Sequence, residues 1–395
     1  MYVYLILVIV LVLLEFLLEE LRIKERKTIF IAVTFTLLSV LACLRSFSVG
    51  TDTEQFVNAY VKFAETGFSA VNFKQVYEPG YVLYQVLLSR LSPNPRVLIV
   101  VSHLFINFSF LCFIKKFSKD YFISVCIFIF TCQFLASMCM MRQFIAIGIG
   151  LLAFPLLLDK KYVRYGLLVL VSASFHYFSL LYLLFIPIHL LKWLPKKWFY
   201  ACLGLYAIIY AFIPQIIMFV IRHVKNYNDY VTYLQSVGES ATLRVPPMLF
   251  VCLALLCPAY ALEWSKTRFY KTIYRYNGHD SSFLNLLFVC LLLLVALAGR
   301  FGLLTRVYYY FTPYMCLIPN ILHLDAGNTW KDRANLLEYV NPKSRWRRYP
   351  GMLLIKPASD WKLFYLLVTL GVFCVSLRFG IGVYNTQEYR FLTFI

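Results

Sequence analysis

Long apolar runs separated by short polar stretches repeat from one end of the chain to the other. They lie near residues 2–19, 28–44, 97–114, 121–138, 143–158, 165–176, 177–191, 198–221, 247–263, 283–298, 303–322 and 361–379. Each run is continuously apolar and does not alternate, so each predicts a helix and excludes a barrel strand. A helix needs about 20 apolar residues to cross about 30 Å of hydrocarbon, which gives about twelve candidate transmembrane helices. The runs at 165–176 and 177–191 are short and meet at His176, so they predict short, tilted or partly re-entrant helices. The pattern therefore predicts an all-α polytopic membrane protein, with a single transmembrane domain over residues 1–395.

Two further segments, both within residues 46–96, carry apolar residues on one face only. They are "TEQFVNAYVKFAE" after Asp52 and "EPGYVLYQVLLSRL" from Glu78. Their spacing predicts interfacial helices in an extracytoplasmic loop.

Composition agrees with the pattern: 61% of residues are hydrophobic and 14% charged, and mean hydropathy is +0.71, far outside the soluble range. Orientation follows from the 38 basic residues, because short cytoplasmic loops collect Lys and Arg. With both termini outside, 24 of the 38 fall on cytoplasmic segments and 13 outside, Lys362 at a helix boundary being the last. The basic loop at 323–360 is then cytoplasmic, and its run "KSRWRRY" reads as a membrane-surface anchor. Membrane insertion and the anionic inner leaflet account for the net charge of +19, so nucleic acid is not an expected partner. The first run has no basic stretch ahead of it and no small-residue cleavage site behind it, and reads as a retained helix. The 11 cysteines fall almost wholly in apolar runs without a CxxC, which is the usage of small buried hydrophobes. No metal-ligand pattern, phosphate loop or cofactor motif stands out.

That topology places one set of polar residues on the outer side. Arg45 and Asp52 follow the second helix, Glu78 precedes the third, and Arg142 and Gln143 lie between the fourth and fifth. His176 lies between the sixth and seventh, and Arg300 and Arg306 between the tenth and eleventh. Charges near hydrocarbon cost several kcal/mol unless paired or hydrated, so clustering predicts an outward-facing cavity. Taken singly, each has a plainer reading. Arg45 fits a snorkelling helix end, Asp52 a helix cap, Glu78 the start of an interfacial helix, and His176 a structural hydrogen bond. Arg300 and Arg306 share one face only if the chain breaks near Gly299 or Gly302.

Arginine forks bind phosphate bidentately and stay charged at physiological pH, so the cluster suits an anionic lipid head such as a polyprenyl diphosphate. Diphosphate leaves readily once arginines neutralise its charge, and glycosyl transfer then needs one base for the attacking hydroxyl. Asp52, His176 and Glu78 are the candidates, in that order. Arg45, Arg142, Gln143, Arg300 and Arg306 are the candidate diphosphate and sugar ligands.

The motifs "LRSFSVGTDTEQF", "YEPGYVLYQVL", "MRQFIAIGIGLLAF", "SASFHYFSLLYLL" and "RFGLLTRVYYYFTPY", in this order, resemble the EpsG-type polysaccharide polymerases, relatives of the Wzy O-antigen polymerases. The resemblance spans residues 45 to about 315. It places Arg45, Gly50 and Asp52 on one family motif, Glu78 on a second, Arg142 and Gln143 on a third, and His176 and Arg306 on later ones. Arg300 matches less securely, because "GRFGLLTR" is shorter than the late periplasmic loop of many relatives. The resemblance implies a GT-C-like enzyme of the bacterial inner membrane. Such an enzyme joins lipid-linked oligosaccharide repeat units of O-antigen, capsule or exopolysaccharide on the periplasmic or extracellular face. Its substrates would be polyprenyl-diphosphate-linked oligosaccharides, with a flippase and a chain-length regulator of the same pathway as further partners.

A flippase is the leading alternative, but it would need charged residues through the full membrane depth. A polyprenyl-phosphate-sugar-dependent glycosyltransferase usually carries an acidic motif after its first helix, where this chain has a basic cytoplasmic loop. A membrane O-acetyltransferase would need a cytoplasmic cofactor site, and no histidine cluster lies there.

Overall fold

Helices that are apolar on every side can bury one face on one another and leave the other for lipid, and the computed structural model of the chain has this arrangement. It describes residues 2–67, 77–118, 120–191 and 305–317, with isolated positions beyond. The first elements are α1 (Tyr2–Glu20), α2 (Arg26–Cys43), α3 (Thr53–Thr66), α4 (Pro79–Leu91) and α5 (Arg96–Phe117). They are followed by α6 (Tyr121–Phe130), α7 (Gln133–Cys139), α8 (Met141–Leu158) and α9 (Tyr162–Phe175). A 3-10 segment (Tyr177–Leu184) then leads into α10 (Phe185–Leu191). A short helix α11 (Thr305–Tyr308) and a 3-10 turn (Thr312–Leu317) come late in the chain.

By length and composition, α1, α2, α5 and α8 each suffice to cross a membrane, and α6 with α7 makes a fifth, bent span. The expected spans near 198–221, 247–263 and 283–298, Arg300 and the basic 323–360 loop lie outside the described residues, apart from helical positions at 208, 211, 212 and 215. In the expected cytoplasmic segment before 281, two-residue strands β1 (Arg275–Tyr276) and β2 (His279–Asp280) pair antiparallel. Every other described element is helical, so this two-residue ribbon leaves the fold mostly helical, as expected.

α2, α5, α8 and α9 pack side by side in that order, α1 lies on α2, and α4 lies on α3, α5 and α9. Two sets of contacts fix the ends of the row. Arg96 Nη1 donates to the Cys43 and Arg45 carbonyls at 3.1 and 2.6 Å. At the opposite end, Lys27 Nζ donates to the Ser118 carbonyl at 3.0 Å and Tyr121 to Glu15 Oε1 at 2.9 Å. The C-termini of α2, α7 and α9 and the N-termini of α5 and α8 therefore share one end of the bundle, together with α3 and α4. Polar side chains join the helices within: Asn107 donates to Ser39 Oγ at 3.2 Å and Ser172 to the Ala146 carbonyl at 2.7 Å. Bonds of this kind hold apolar helices together where no hydrophobic force acts between them.

The broken span sits in the centre of the fold, and its residues are almost all buried. Phe110 stacks on Phe128 at 4.5 Å, and Phe144 lies 5.6 Å from Tyr309. The helix predicted over 121–138 bends by 50° because Cys132 adopts a left-handed conformation, φ 59°. That conformation costs a non-glycine residue about 1–3 kcal/mol. Flanking polar groups stabilise it: Thr131 Oγ1 bonds the Ile127 carbonyl, and Gln133 Nε2 bonds Thr131 Oγ1 at 2.7 Å and the Thr312 carbonyl at 3.3 Å. The short predicted runs on either side of His176 correspond to α9 and to a 3-10 segment continuing into α10. Of the described cysteines, Cys43, Cys126, Cys132, Cys139 and Cys316 are buried, Cys112 is half-buried and Cys374 is exposed.

Candidate functional site

Pro79 starts α4 at a position where its missing N–H costs nothing, and this places Glu78 at the helix entrance. The Glu78 carboxylate makes no cap bond to its own helix. It accepts instead from Arg142 Nη1, through Oε2, and from the Tyr177 amide at 3.4 Å, through Oε1. Glu78 thus joins the start of α4, the first turn of α8 and the 3-10 segment. Next to it, Gly80 is where α4 and α9 touch, since a Cβ there would come within 2.8 Å of the Ser174 carbonyl.

Arg142 lies among rings as well as beside a carboxylate. Its guanidinium is 4.7 Å from the centre of Tyr77, 5.6 Å from Phe56 and 5.8 Å from Tyr81. Aromatic faces attract a partly desolvated cation. Burial pushes the Tyr81 and Tyr77 phenols above their ordinary range, with Arg142 opposing the shift in each, so both rings stay neutral in the cage. Gln143 faces the other way and donates to the Arg306 carbonyl. The Arg-Gln pair therefore ties α8 to Glu78 with one side chain and to the 305–310 stretch with the next.

Asp52 precedes α3 and, like Glu78, makes no side-chain bond to its own helix. It accepts from Thr51 Oγ1 at 3.1 Å and faces Arg306 Nη2 at 3.8 Å. This pair is more open than the other: the Arg306 and Asp52 side chains are 33% and 26% exposed, against 15% and 9% for Arg142 and Glu78. His176, at the end of α9 and 7% exposed, shares a hydrogen bond of 2.7 Å between Nδ1 and the Tyr310 hydroxyl.

Five of the sequence motifs meet here, then, through Asp52, Glu78, Arg142, Gln143, His176 and Arg306. Arg45 lies behind them. It is fully buried, and its guanidinium donates to the Ala42 and Met138 carbonyls at 2.9 and 2.8 Å and faces His103. All three of these partners of the guanidinium belong to the protein itself. The sequence reading singles out neither the ring cage nor Tyr310 at the site, nor His103 behind it. The tyrosines of "YEPGY" and of "VYYY" hinted at the first two, but His103 stands alone in an apolar run.

Apolar spans whose one end seats two arginine–carboxylate pairs and a ring cage define a multi-pass membrane protein with a charged cluster at that end. The chain belongs to the EpsG family, whose sequence profile matches residues 28–332. Membership carries the general role of that family, a membrane polysaccharide polymerase of glycosyltransferase type. No curated protein and no solved structure matches the chain.

Proposed function

We propose that this chain joins polyprenyl-diphosphate-linked oligosaccharide repeat units, without a metal ion, on the outer face of a bacterial cytoplasmic membrane. The observation that supports this reading best is the convergence of Asp52, Glu78, Arg142 and Arg306 at one end of the bundle, in two pairs of unequal openness. The open pair suits the chemistry and the closed pair suits the scaffold.

In this reading the donor's diphosphate draws Arg306 away from Asp52, and the N-terminus of α8 beside Arg142 adds its partial positive charge. Arg300 is a further phosphate ligand. Asp52 takes the proton of the acceptor's hydroxyl, whose oxygen bonds to the donor's anomeric carbon. The bond from that carbon to the diphosphate breaks, and the electron pair leaves on the lipid diphosphate, where the arginines neutralise it. Glu78 holds Arg142 in place and borders the acceptor. His176 ranks second as base, since Tyr310 occupies its Nδ1. A flippase of the same pathway and a chain-length regulator are the proposed partners. The flippase reading of the chain itself is less favoured, because the deeper polar groups among the described residues, Asn107 with Ser39 and Gln133 with Thr131, bond one another.

The test compares Asp52→Asn, His176→Ala and Glu78→Gln at equal membrane abundance, by profiling lipid-linked glycans. Asp52→Asn is expected to stop at single repeat units. Full-length polymer from that variant removes Asp52 as base, and full-length polymer from all three removes the site.

A further inference from the structure

His103 is fully buried on α5 and lies in none of the motifs of the site. Its Nε2 is 2.8 Å from Arg45 Nη1, and its Nδ1 is 3.1 Å from the Ile99 carbonyl. A guanidinium nitrogen only donates, so Nε2 accepts, and Nδ1 carries the proton toward Ile99. Arg45 reaches on, through Nη2, to the Met138 carbonyl at 2.8 Å.

That carbonyl is a junction. The helix breaks between α7 and α8 at Met140, φ −90° and ψ 51°. Met138 O accepts from Thr53 Oγ1 at 3.2 Å as well as from Arg45. Gly50, at φ +93°, lies so close that a Cβ there would come within 2.9 Å of the same oxygen. Asp52 lies between Gly50 and Thr53, in the turn seated on this peptide. A second contact, Thr51 Oγ1 to Cys139 Sγ at 2.8 Å, holds the turn against the end of α7.

We propose that His103 is a positioning residue: by accepting from Arg45 at Nε2 it aims the guanidinium at the Met138 carbonyl, and so seats the turn that carries Asp52. The inference rests on the reading of Asp52 as the base. His103 touches none of the ionised groups that would meet substrate, and it acts only through Arg45. A shift of about 1 Å in a reacting group costs on the order of a hundredfold in rate, so a clamp of this kind matters even though it lies outside the site.

The test uses the shapes of amide side chains. Glutamine at 103 puts an oxygen where Nε2 was and still accepts from Arg45, whereas asparagine reaches only as far as Nδ1. Seating of the turn is read apart from activity in the full chain carrying Thr51→Cys, by mild oxidation and mass spectrometry of the peptide joined to Cys139. Cross-linking with His103→Gln is expected within about twofold of the His103 protein, and with His103→Asn to be slower by about tenfold or more. With Thr51 restored, His103→Asn should lower kcat about tenfold with KM for the lipid-linked acceptor unchanged, while His103→Gln restores it. Equal cross-linking by the two variants, equal loss of both proteins from the membrane, or slow cross-linking with undiminished kcat each overturns the proposal. Polymer from Asp52→Asn would instead remove the base assignment, and the cross-linking comparison would still report whether His103 seats the turn.

Discussion

Glu78 and Arg142, far apart in sequence, form an ion pair that joins the entrance of α4 to the first turn of α8. Their side chains are only 9% and 15% exposed, so losing one leaves the other a largely buried charge, Glu78 with the Tyr177 amide and Arg142 with its rings. Removing one partner of a buried pair costs about 3–5 kcal/mol, and removing both costs much less than the two single losses together. Partial exposure places this pair toward the lower end of that range. In a cycle of Glu78→Gln, Arg142→Gln and the double variant, thermal unfolding in detergent should show the double variant little worse than either single one. Additive losses would mean that the two side chains act independently.

Lysine keeps the charge of arginine but not its fork or its flat face. Arg142→Lys must give up either Glu78 or the faces of Tyr77 and Tyr81, and Arg306→Lys loses two-pronged phosphate contact. Charged hydrogen bonds are worth about 1.5–3 kcal/mol, so each variant is expected to make polymer roughly 10- to 100-fold more slowly at equal abundance. A wild-type rate from Arg306→Lys would move the diphosphate elsewhere, and one from Arg142→Lys would show that the fork of Arg142 is not needed to hold the scaffold.

Gly80 is a packing position. An alanine Cβ would meet Ser174 Oγ at 2.1 Å, Ser174 Cβ at 2.7 Å and the Ser174 carbonyl at 2.8 Å. The hydroxyl can rotate, but the carbonyl belongs to α9 and cannot yield alone. Gly80→Ala is expected to destabilise the protein by about 1–3 kcal/mol and to push Glu78 away from Tyr177. Ser174→Gly in the same chain removes two of the three clashes and should recover part of the loss. No recovery, or no loss to recover, would show that α4 and α9 are not held this closely.

What depends on continuous apolar length is legible in the sequence, and so is the clustering of charge at one end of the bundle. α1, α2, α5 and α8 lie within a few residues of their predicted runs, and the amphipathic segments after Asp52 and Glu78 are the helices α3 and α4. The bend at Cys132 is not legible, because one of the groups that steady it is the carbonyl of Thr312, a residue distant in the chain. For the same reason the surroundings of Arg45 are not legible in its own stretch: two of its partners, Met138 and His103, come from other helices. Asp52 as a helix cap and Glu78 as the start of an interfacial helix are equally open in the sequence. Glu78 does start α4, and neither side chain bonds its own helix; each faces an arginine of another element.

The face of the membrane can be read directly by labelling. Lys62 is exposed on α3, near the site, and Lys161 is exposed at the start of α9, at the other end of the bundle. A cysteine at 62 is expected to react with a membrane-impermeant thiol reagent in intact cells, and one at 161 only after permeabilisation. The reverse pattern would turn the site toward the cytoplasm and remove the extracytoplasmic reading, while leaving the ion pairs as they are.

His176 has two possible employments, and isosteric replacement separates them. Its Nδ1 is engaged by Tyr310 at 2.7 Å, its ring lies 6.0 Å from that tyrosine's ring, and Tyr310 follows Arg306 within one short stretch. A histidine so tethered steadies the segment that carries Arg306. Asparagine reproduces the position of Nδ1 and keeps the tether, whereas glutamine reproduces Nε2 and loses it. If the tether is its use, His176→Asn should make polymer within about threefold of the unchanged protein, and His176→Gln and Tyr310→Phe should both fall by about tenfold, the worth of one buried hydrogen bond. A base at Nε2 predicts a different ordering. His176→Asn would then stop at single repeat units while Tyr310→Phe still made long polymer, and the proton would have to be assigned to the imidazole in place of Asp52.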